Sequence, residues 1–229
     1  MYREPETELM NTEAQVSAYS SADFSLGETN LIKFITNFLE IKNINLSNQD
    51  LIVDLGCGPG NISEKLSNMW PEVNVIGIDG SEEMIRKAES RKFKNKNNKF
   101  DNLNYLCSDI RNINSNIFSN QNISMLVSNS FIHHIKHIDD FFEFLIKLSS
   151  KDTLNFHKDL IRPKNKNIAL KLKDKCAEKY NDILTKDYYA SLKASYRKFE
   201  LDAKILEFGL DLMEVVEESE EYLIVYGKV

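Results

Sequence analysis

Cysteine is scarce in this chain, and so are proline, glycine and long apolar runs. The three cysteines, Cys57, Cys107 and Cys176, are odd in number and widely spaced, which disfavours both a disulfide framework and a cysteine-based metal motif. Reduced thiols are typical of the cytoplasm, where we expect this protein. The first ten residues are acidic and lack an apolar core, which disfavours a signal peptide. No apolar run reaches the length of a membrane span, so no membrane association is expected.

An excess of positive charge is missing as well. The net charge is -6, whereas phosphate-rich partners require neutralising Lys and Arg, so a nucleic-acid partner is not expected. One local cluster is basic, and it comprises Arg86, Lys87, Arg91, Lys92, Lys94, Lys96 and Lys99. It is either an RNA-facing patch or a solvated helix end whose cations suit the helix dipole, and we favour the second interpretation.

Short apolar strands alternate with helical segments in the middle of the chain. We predict strands over 51–56, 73–79, 102–109, 123–130 and 153–160, and helices over 61–70, 81–93 and 138–150. This alternation predicts an α/β fold with a doubly wound, mostly parallel sheet and helices on both faces. Two more strands, 211–218 and 221–229, are joined by a tight acidic turn and predict an antiparallel edge.

The flanking segments are predicted to be helical. Within residues 1–45, Thr12 and Gln15 have the spacing of a capping box, and Leu31 and Ile35 have helical spacing in a second helix. The Lys-rich segment 163–200 is predicted to be a helical insertion over the site. Repeats and Gly- or Pro-rich linkers are lacking, so we expect residues 1–229 to form a single domain.

The stretch "VDLGCGPGN" follows the first predicted strand. Gly56, Gly58 and Gly60 occupy alternate positions in it, where glycine allows a positive φ and lets a ligand approach the backbone. The following helix start offers free N–H groups. A dinucleotide-binding turn has the spacing GxGxxG, but here the spacing is GxGxG. The turn therefore suits a nucleoside without a pyrophosphate.

Two more carboxylates end the second and third strands. Asp79 is placed to accept the hydroxyls of a ribose. Asp109 is a candidate acceptor for an adenine amino group, with Ile110 or Met84 against the ring. The alternative for Asp109 is a helix N-cap or turn acid. Cys57 suits a small filler better than a nucleophile.

These motifs resemble those of the class I S-adenosylmethionine-dependent methyltransferases over about Leu51 to Leu148. "DLGCGPG" is similar to their first motif, "GIDGSEEMIRKA" to the ribose-binding segment, "SDI" to the adenine-contacting segment, and "VSNSFIHHI" to the fourth strand and its loop. The resemblance implies a seven-stranded Rossmann-like sheet with an antiparallel last strand. It also implies a methyltransferase that transfers a methyl group from S-adenosylmethionine to an O, N or C atom of a small molecule.

The resemblance also implies a set of cofactor-binding residues. Asp54 and the three glycines would face the methionine part, Asp79 the ribose and Asp109 the adenine, while Asn129 would form the floor of the site. The full predicted set is Asp54, Gly56, Cys57, Gly58, Gly60, Asp79, Gly80, Met84, Asp109, Ile110 and Asn129. "NSFI" after strand four differs from the Asn-Pro-Pro-aromatic loop of enzymes that methylate amide or adenine nitrogens, which disfavours that subclass.

Several residues are candidates for the acceptor side. His133 or His134 could act as a general base, the alternative being a helix-start histidine with a satisfied N–H. His133 and His137 have a metal-like spacing, but no third ligand is evident, so we predict no metal site. Arg162, beside Asp159, could clamp an acidic acceptor or form a salt bridge with Asp159. Tyr189 and its aromatic neighbours could wall the acceptor pocket or pack as core.

Three other functions compete with this prediction. A non-catalytic module, or an enzyme that uses the same cofactor for other chemistry, would share the cofactor motifs. An RNA methyltransferase would use the basic cluster. An NAD-dependent dehydrogenase is suggested by the Tyr-x-x-x-Lys spacing of Tyr189 and Lys193, but the glycine turn has the wrong period for that family.

Overall fold

The chain folds around one mixed sheet. The computed structural model describes residues 1–6, 10–94, 100–113, 118 and 122–229. The strands in this part of the chain are β1 (Asp50–Leu55), β2 (Asn74–Asp79), β3 (Leu103–Cys107), β4 (Asn122–Asn129), β5 (Leu154–Leu160), β6 (Met213–Glu217) and β7 (Tyr222–Lys228). They form a seven-stranded sheet in the order β3-β2-β1-β4-β5-β7-β6.

Helices connect most of these strands. Those in the described ranges are α1 (Glu13–Ser21), α2 (Ser25–Ile41), α3 (Asn61–Met69), α4 (Glu82–Lys94), α5 (Ile138–Leu148), α6 (Lys166–Ala177), α7 (Asp182–Ala194) and α8 (Lys198–Glu207). Short 3-10 helices span Ile110–Asn112 and Ile132–His134. Helix α8 was not predicted from the sequence, although Leu201 and Ile205 are buried at helical spacing on it.

The predicted topology is confirmed. Strands β1 to β5 pair in parallel, and β7 runs antiparallel to both β5 and β6. Parallel strands bring their carboxyl ends to one edge of the sheet, where α/β proteins bind ligands. Gly56, Asp79 and Asn129 follow or end three such strands, so the fold gathers them at that edge.

Both faces of the sheet are buried. Along β1, Leu51, Val53 and Leu55 belong to the apolar cluster that contains residues of α5 and α8, while Ile52 belongs to the cluster that contains residues of α2 and α3. This alternation follows from the two-residue period of a strand. It explains why the strand sequences are continuously apolar.

The flanking helices also form as predicted. Thr12 Oγ1 accepts the backbone N–H of Gln15, whose side chain returns to Thr12, so the capping box is present on α1. The predicted insertion 163–200 contains α6 and α7. The assignment of the whole chain to a single domain stays a prediction. In the described ranges we find no helix with both the length and the apolar character needed to cross a bilayer.

Candidate functional site

The loop between β1 and α3 has three glycines in the left-handed backbone region. The φ angles of Gly56, Gly58 and Gly60 are 65°, 53° and 88°. A Cβ added to Gly56 would lie 2.2 Å from Phe131 Cδ2, and one added to Gly60 would lie 2.2 Å from Tyr105 Oη. At Gly58 an added Cβ would meet nothing within 4 Å. Packing therefore requires glycine at the outer two positions, while Gly58 leaves backbone open to a ligand.

Asp79 ties this loop to the start of α4. Its Oδ2 accepts the backbone N–H of Gly58 at 2.8 Å, and its Oδ1 accepts that of Ser81 at 2.8 Å. Burial raises the pKa of Asp79, although these two bonds oppose the effect. Each carboxylate oxygen has a second lone pair, so Asp79 can also accept ligand hydroxyls.

Asp54 is buried beneath the same loop with 1% of its surface exposed. Ser63 Oγ donates a hydrogen bond of 2.6 Å to Asp54 Oδ2. Burial raises the pKa of Asp54 to about 7, and the charge of Asp79 adds to the increase although the Ser63 bond opposes it. Since an adjacent cation favours the ionised form of a carboxyl group, Asp54 suits a positively charged ligand group.

A cavity of 110 Å³ collects most of the predicted cofactor residues. The predicted residues that line it are Asp54, Gly56, Cys57, Gly58, Asp79, Gly80, Met84 and Asn129. We call it the cofactor cavity. Cys57 is buried there, and burial raises the pKa of its thiol well above the ordinary value. This fits its predicted role as a small filler.

Three predicted cofactor residues are not among the described residues that line this cavity. Gly60 is the N-cap of α3, and Ile110 packs against the apolar core. Asp109 accepts the backbone N–H of Arg111 at 2.9 Å and pairs with its guanidinium, which lowers the pKa of Asp109. These contacts are those of a helix N-cap, which is the alternative interpretation of Asp109. A role of Asp109 and Ile110 at the adenine stays a prediction that this geometry does not support.

A second cavity, of 530 Å³, adjoins the first. We call it the acceptor cavity. Residues that line both cavities are Met10, Tyr19, Glu28, Asn129, Ser130 and His134. Ser130 has a φ of 58°, and such strained backbone is common where function demands it. Helices α6 and α7 contribute Cys176, Tyr188 and Ser191, so the predicted insertion lines the acceptor cavity.

Each of the two adjacent histidines has a carboxylate partner. His133 Nδ1 lies 2.6 Å from Asp159 Oδ1, and His134 Nδ1 lies 2.5 Å from Glu6 Oε2. Burial disfavours the charged His133, but the Asp159 carboxylate outweighs it and raises the pKa of His133. Both histidines line the acceptor cavity. The Asp159 carboxylate contacts Nδ1 of His133 and thereby fixes the orientation of the imidazole ring.

Two residues predicted to contact the acceptor lie elsewhere. Arg162 is 4% exposed, and its guanidinium donates to Glu200 Oε1 at 2.6 Å and to the Ser195 carbonyl at 2.8 Å. It forms neither the predicted acceptor clamp nor the alternative pair with Asp159, because Glu200 neutralises it. Tyr189 faces lysine ammonium groups instead, while the neighbouring Tyr188 lines the cavity.

Three residues that the first 45 residues bring to the site were not predicted from the sequence. Tyr19 and Glu28 line both cavities, and Glu6 partners His134. Ser191 Oγ donates a hydrogen bond of 2.8 Å to Glu6 Oε1, which holds that carboxylate beside the histidines. Of these three residues only Glu28 has a signal in the sequence, because it is a glutamate at a buried position of α2.

Glu6 and the two adjacent histidines bear on the predicted absence of a metal site. Glu6, His133 and His134 each place a possible ligand atom within 4.8 Å of the others. The third ligand that the sequence did not reveal is thus Glu6, and His137 is not part of the group. Glu6 Oε2 and His134 Nδ1 already pair with each other. The absence of a metal site stays a prediction.

Three of the seven residues of the basic cluster are engaged within the protein. Arg86 pairs with Glu83, Arg91 pairs with Glu64 at 2.8 Å, and Lys92 donates to the Leu103 carbonyl. Lys96 and Lys99 lie outside the described residues. The pairing of the two arginines favours the interpretation as a solvated helix face.

Known proteins resemble this chain in both sequence and fold. The sequence profile of the "Methyltransferase domain" family matches residues 46–199. The trans-aconitate 2-methyltransferase of Afipia carboxidovorans is 52% identical over 40 residues, which are 18% of this chain and 16% of that enzyme. The chain thus spans only about a sixth of the length of the curated relatives that it matches.

Solved structures match nearly the whole chain. The plantazolicin methyltransferase BpumL in complex with a pentazolic desmethylPZN analog and SAH has a TM-score of 0.71 and 15% identity, covering 94% of this chain and 90% of that one. A SAM-dependent methyltransferase from Aquifex aeolicus has a TM-score of 0.63 and 18% identity, covering 92% and 96%. The chain belongs to the methyltransferase-domain family and has the fold of class I S-adenosylmethionine-dependent methyltransferases.

Proposed function

We propose that this chain is a methyltransferase that uses S-adenosylmethionine to methylate a small molecule held in the acceptor cavity. One observation carries the proposal. The cavity over the glycine loop adjoins a larger one, and Tyr19, Asn129 and His134 border both. A donor and an acceptor bound in two such cavities would meet at these residues.

The residues of the cofactor cavity fit the parts of S-adenosylmethionine. Gly58 leaves its backbone open, Asp54 suits the amino group, and Asp79 has lone pairs for the ribose hydroxyls. Met84 is buried and offers an apolar surface to the adenine ring. When bound, S-adenosylmethionine supplies an activated methyl group on a positively charged sulfur.

The residues of the chain then have two tasks. The first is to orient the acceptor and exclude water, which supplies much of the rate of a displacement. The second is to take the proton of an acceptor that must lose one. His133, with Asp159 on its Nδ1 side and a raised pKa, is the group we assign to that task. His134 stands beside it, with the ring centroids 4.2 Å apart.

Other functions have less support. An RNA substrate would need a free basic surface, but Arg86 and Arg91 pair with glutamates. A dehydrogenase would use Tyr189 and Lys193, but Lys193 pairs with Glu4 and neither residue lines a described cavity. The three cysteines are free thiols, which suits a cytoplasmic enzyme.

Two measurements test the proposal. Calorimetry should detect binding of both S-adenosylmethionine and S-adenosylhomocysteine, and Asp79→Ala should weaken it at least about tenfold through lost hydrogen bonds. Asp211→Ala, at an exposed position in the turn before β6, is the matched control. Methyl-labelled cofactor with a fractionated metabolite extract should then yield a labelled small molecule. Absence of binding by well-folded protein would refute the proposal, and binding without any labelled product would support a non-catalytic module.

A further inference from the structure

The acceptor cavity has a set of aromatic rings on one wall. The ring centroids of Tyr19 and Phe24 lie 4.8 Å apart, and those of Phe24 and Tyr180 lie 5.6 Å apart, both pairs tilted by 38°. All three residues line the acceptor cavity. Rings this close pack against one another, so each shows only part of its face to the cavity. Such a face carries negative electrostatic potential and attracts an ammonium group. We call these residues the aromatic wall.

The charged side chains of the cavity are predominantly acidic. Among the described lining residues, the carboxylates are Asp23, Glu28, Asp187, Glu218 and Glu221, and the lysines are Lys158, Lys175 and Lys179. Two of these lysines pair with two of these carboxylates, which leaves Asp23, Glu28 and Asp187 beside Lys179. The buried Lys158 pairs with Glu218, and Lys175 Nζ lies 3.5 Å from Glu221.

Among the described residues, no cation lies within salt-bridge distance of the Asp187 carboxylate on α7. Its contacts in the described part of the chain are hydrogen bonds of 3.3 and 3.4 Å from the neutral amide of Gln15. Burial raises the pKa of Asp187, and the nearby Glu6 carboxylate adds to the increase. A positively charged group in the cavity would stabilise the ionised form.

From these observations, and resting on the proposed function, we infer that the acceptor is an amine. Its ammonium form would bind between the aromatic wall and Asp187. For transfer, the nitrogen loses a proton to the histidine pair and forms the new N–CH3 bond. The S–CH3 bond breaks, its electron pair stays on sulfur, and S-adenosylhomocysteine results. The neutral nitrogen takes up the positive charge that the sulfur loses, so the methylated product is again an ammonium and fits the same wall.

Calorimetry with three probes tests this inference apart from catalysis. Choline presents a quaternary ammonium, 3,3-dimethylbutan-1-ol is its neutral isostere, and tricarballylate is an anion. Each is titrated into the protein with and without saturating S-adenosylhomocysteine. Choline should bind at least about tenfold more tightly than the isostere, as expected for a desolvated cation–π site. Equal binding of the isostere, or tighter binding of tricarballylate, would overturn the inference.

Variants locate the binding. Tyr180→Leu and Asp187→Asn should each weaken choline binding at least about fivefold, whereas Tyr180→Phe keeps the ring and should retain it. Phe93→Leu and Asp211→Asn, at exposed positions, are the controls for a lost ring and a lost charge. Unchanged choline binding in both cavity variants would contradict the assignment. The titration without nucleoside decides the inference even if S-adenosylhomocysteine does not bind, which would refute only the proposed function.

Discussion

Binding of S-adenosylhomocysteine is expected to release a proton from Asp54. Burial, with a contribution from Asp79, raises the pKa of Asp54 to about 7 in the ligand-free protein. Near pH 7 about half of the molecules therefore carry a protonated Asp54. Pairing with the amino group of the ligand requires the ionised form, so protonation of Asp54 competes with binding.

The size of the effect follows from the titration curve. For a pKa of about 7, the ionised fraction of Asp54 grows from about 9% at pH 6 to about 76% at pH 7.5. The association constant should rise by the same factor of about eight, or about 1.2 kcal/mol. At pH 6, binding should release about 0.9 proton per site.

Calorimetry in two buffers with different ionisation enthalpies measures this release directly. In Asp54→Asn the titrating group is gone, so both the proton release and the eightfold pH dependence should disappear. Asp109→Asn is the matched control, because the pKa of that carboxyl lies below its ordinary value. A wild-type protein with the pH dependence of Asp54→Asn would refute the reasoning.

The remaining predictions concern stability and turnover. Gly58→Ala should cost only about 1–2 kcal/mol of unfolding free energy in urea but weaken nucleoside binding, whereas Gly60→Ala should cost about 3 kcal/mol or more because the new Cβ meets a side chain. Equal losses at both positions would contradict this. His133→Gln should lower kcat by about 10² or more and leave nucleoside affinity unchanged; an equal loss of affinity would indicate a structural role. Arg162→Met should destabilise the fold by about 3 kcal/mol, since Glu200 loses its buried partner, with KM for the acceptor unchanged.

The raised pKa of Asp54 also affects folding. Because its folded pKa lies above the ordinary value, the contribution of Asp54 to stability is complete below about pH 4 and is lost as the pH rises through about 7. Asp54→Asn should therefore raise the Tm of the ligand-free protein at pH 8 more than at pH 5. Differential scanning calorimetry at the two pH values measures this, and an equal Tm change at both would count against it.

The cofactor half of the site could be predicted because its signals are local. The strand, the glycine turn and the helix start are adjacent in sequence, and Asp79 ends the next strand. The need for glycine at these positions was only partly predicted. Gly56 and Gly60 are required by Phe131 and Tyr105, which no spacing rule identifies.

The acceptor half depends on contacts between distant parts of the chain. Glu6 meets His134, and Arg162 meets Glu200. Local pattern predicted carboxylates and cations near the sheet edge, but it could not predict which of them would pair. For the same reason, the sequence left Arg162 between an acceptor clamp and a pair with Asp159, and it did not indicate the pair with Glu200.

The position of β7 has a consequence for how the chain reaches its final state. Although β7 follows the other six strands along the chain, it lies inside the sheet, between β5 and β6. Until it is synthesised, the backbone groups along one side of β5 have no strand partner, and such open edges recruit other chains. Nascent protein should thus depend on chaperone protection until residues 222–228 leave the ribosome.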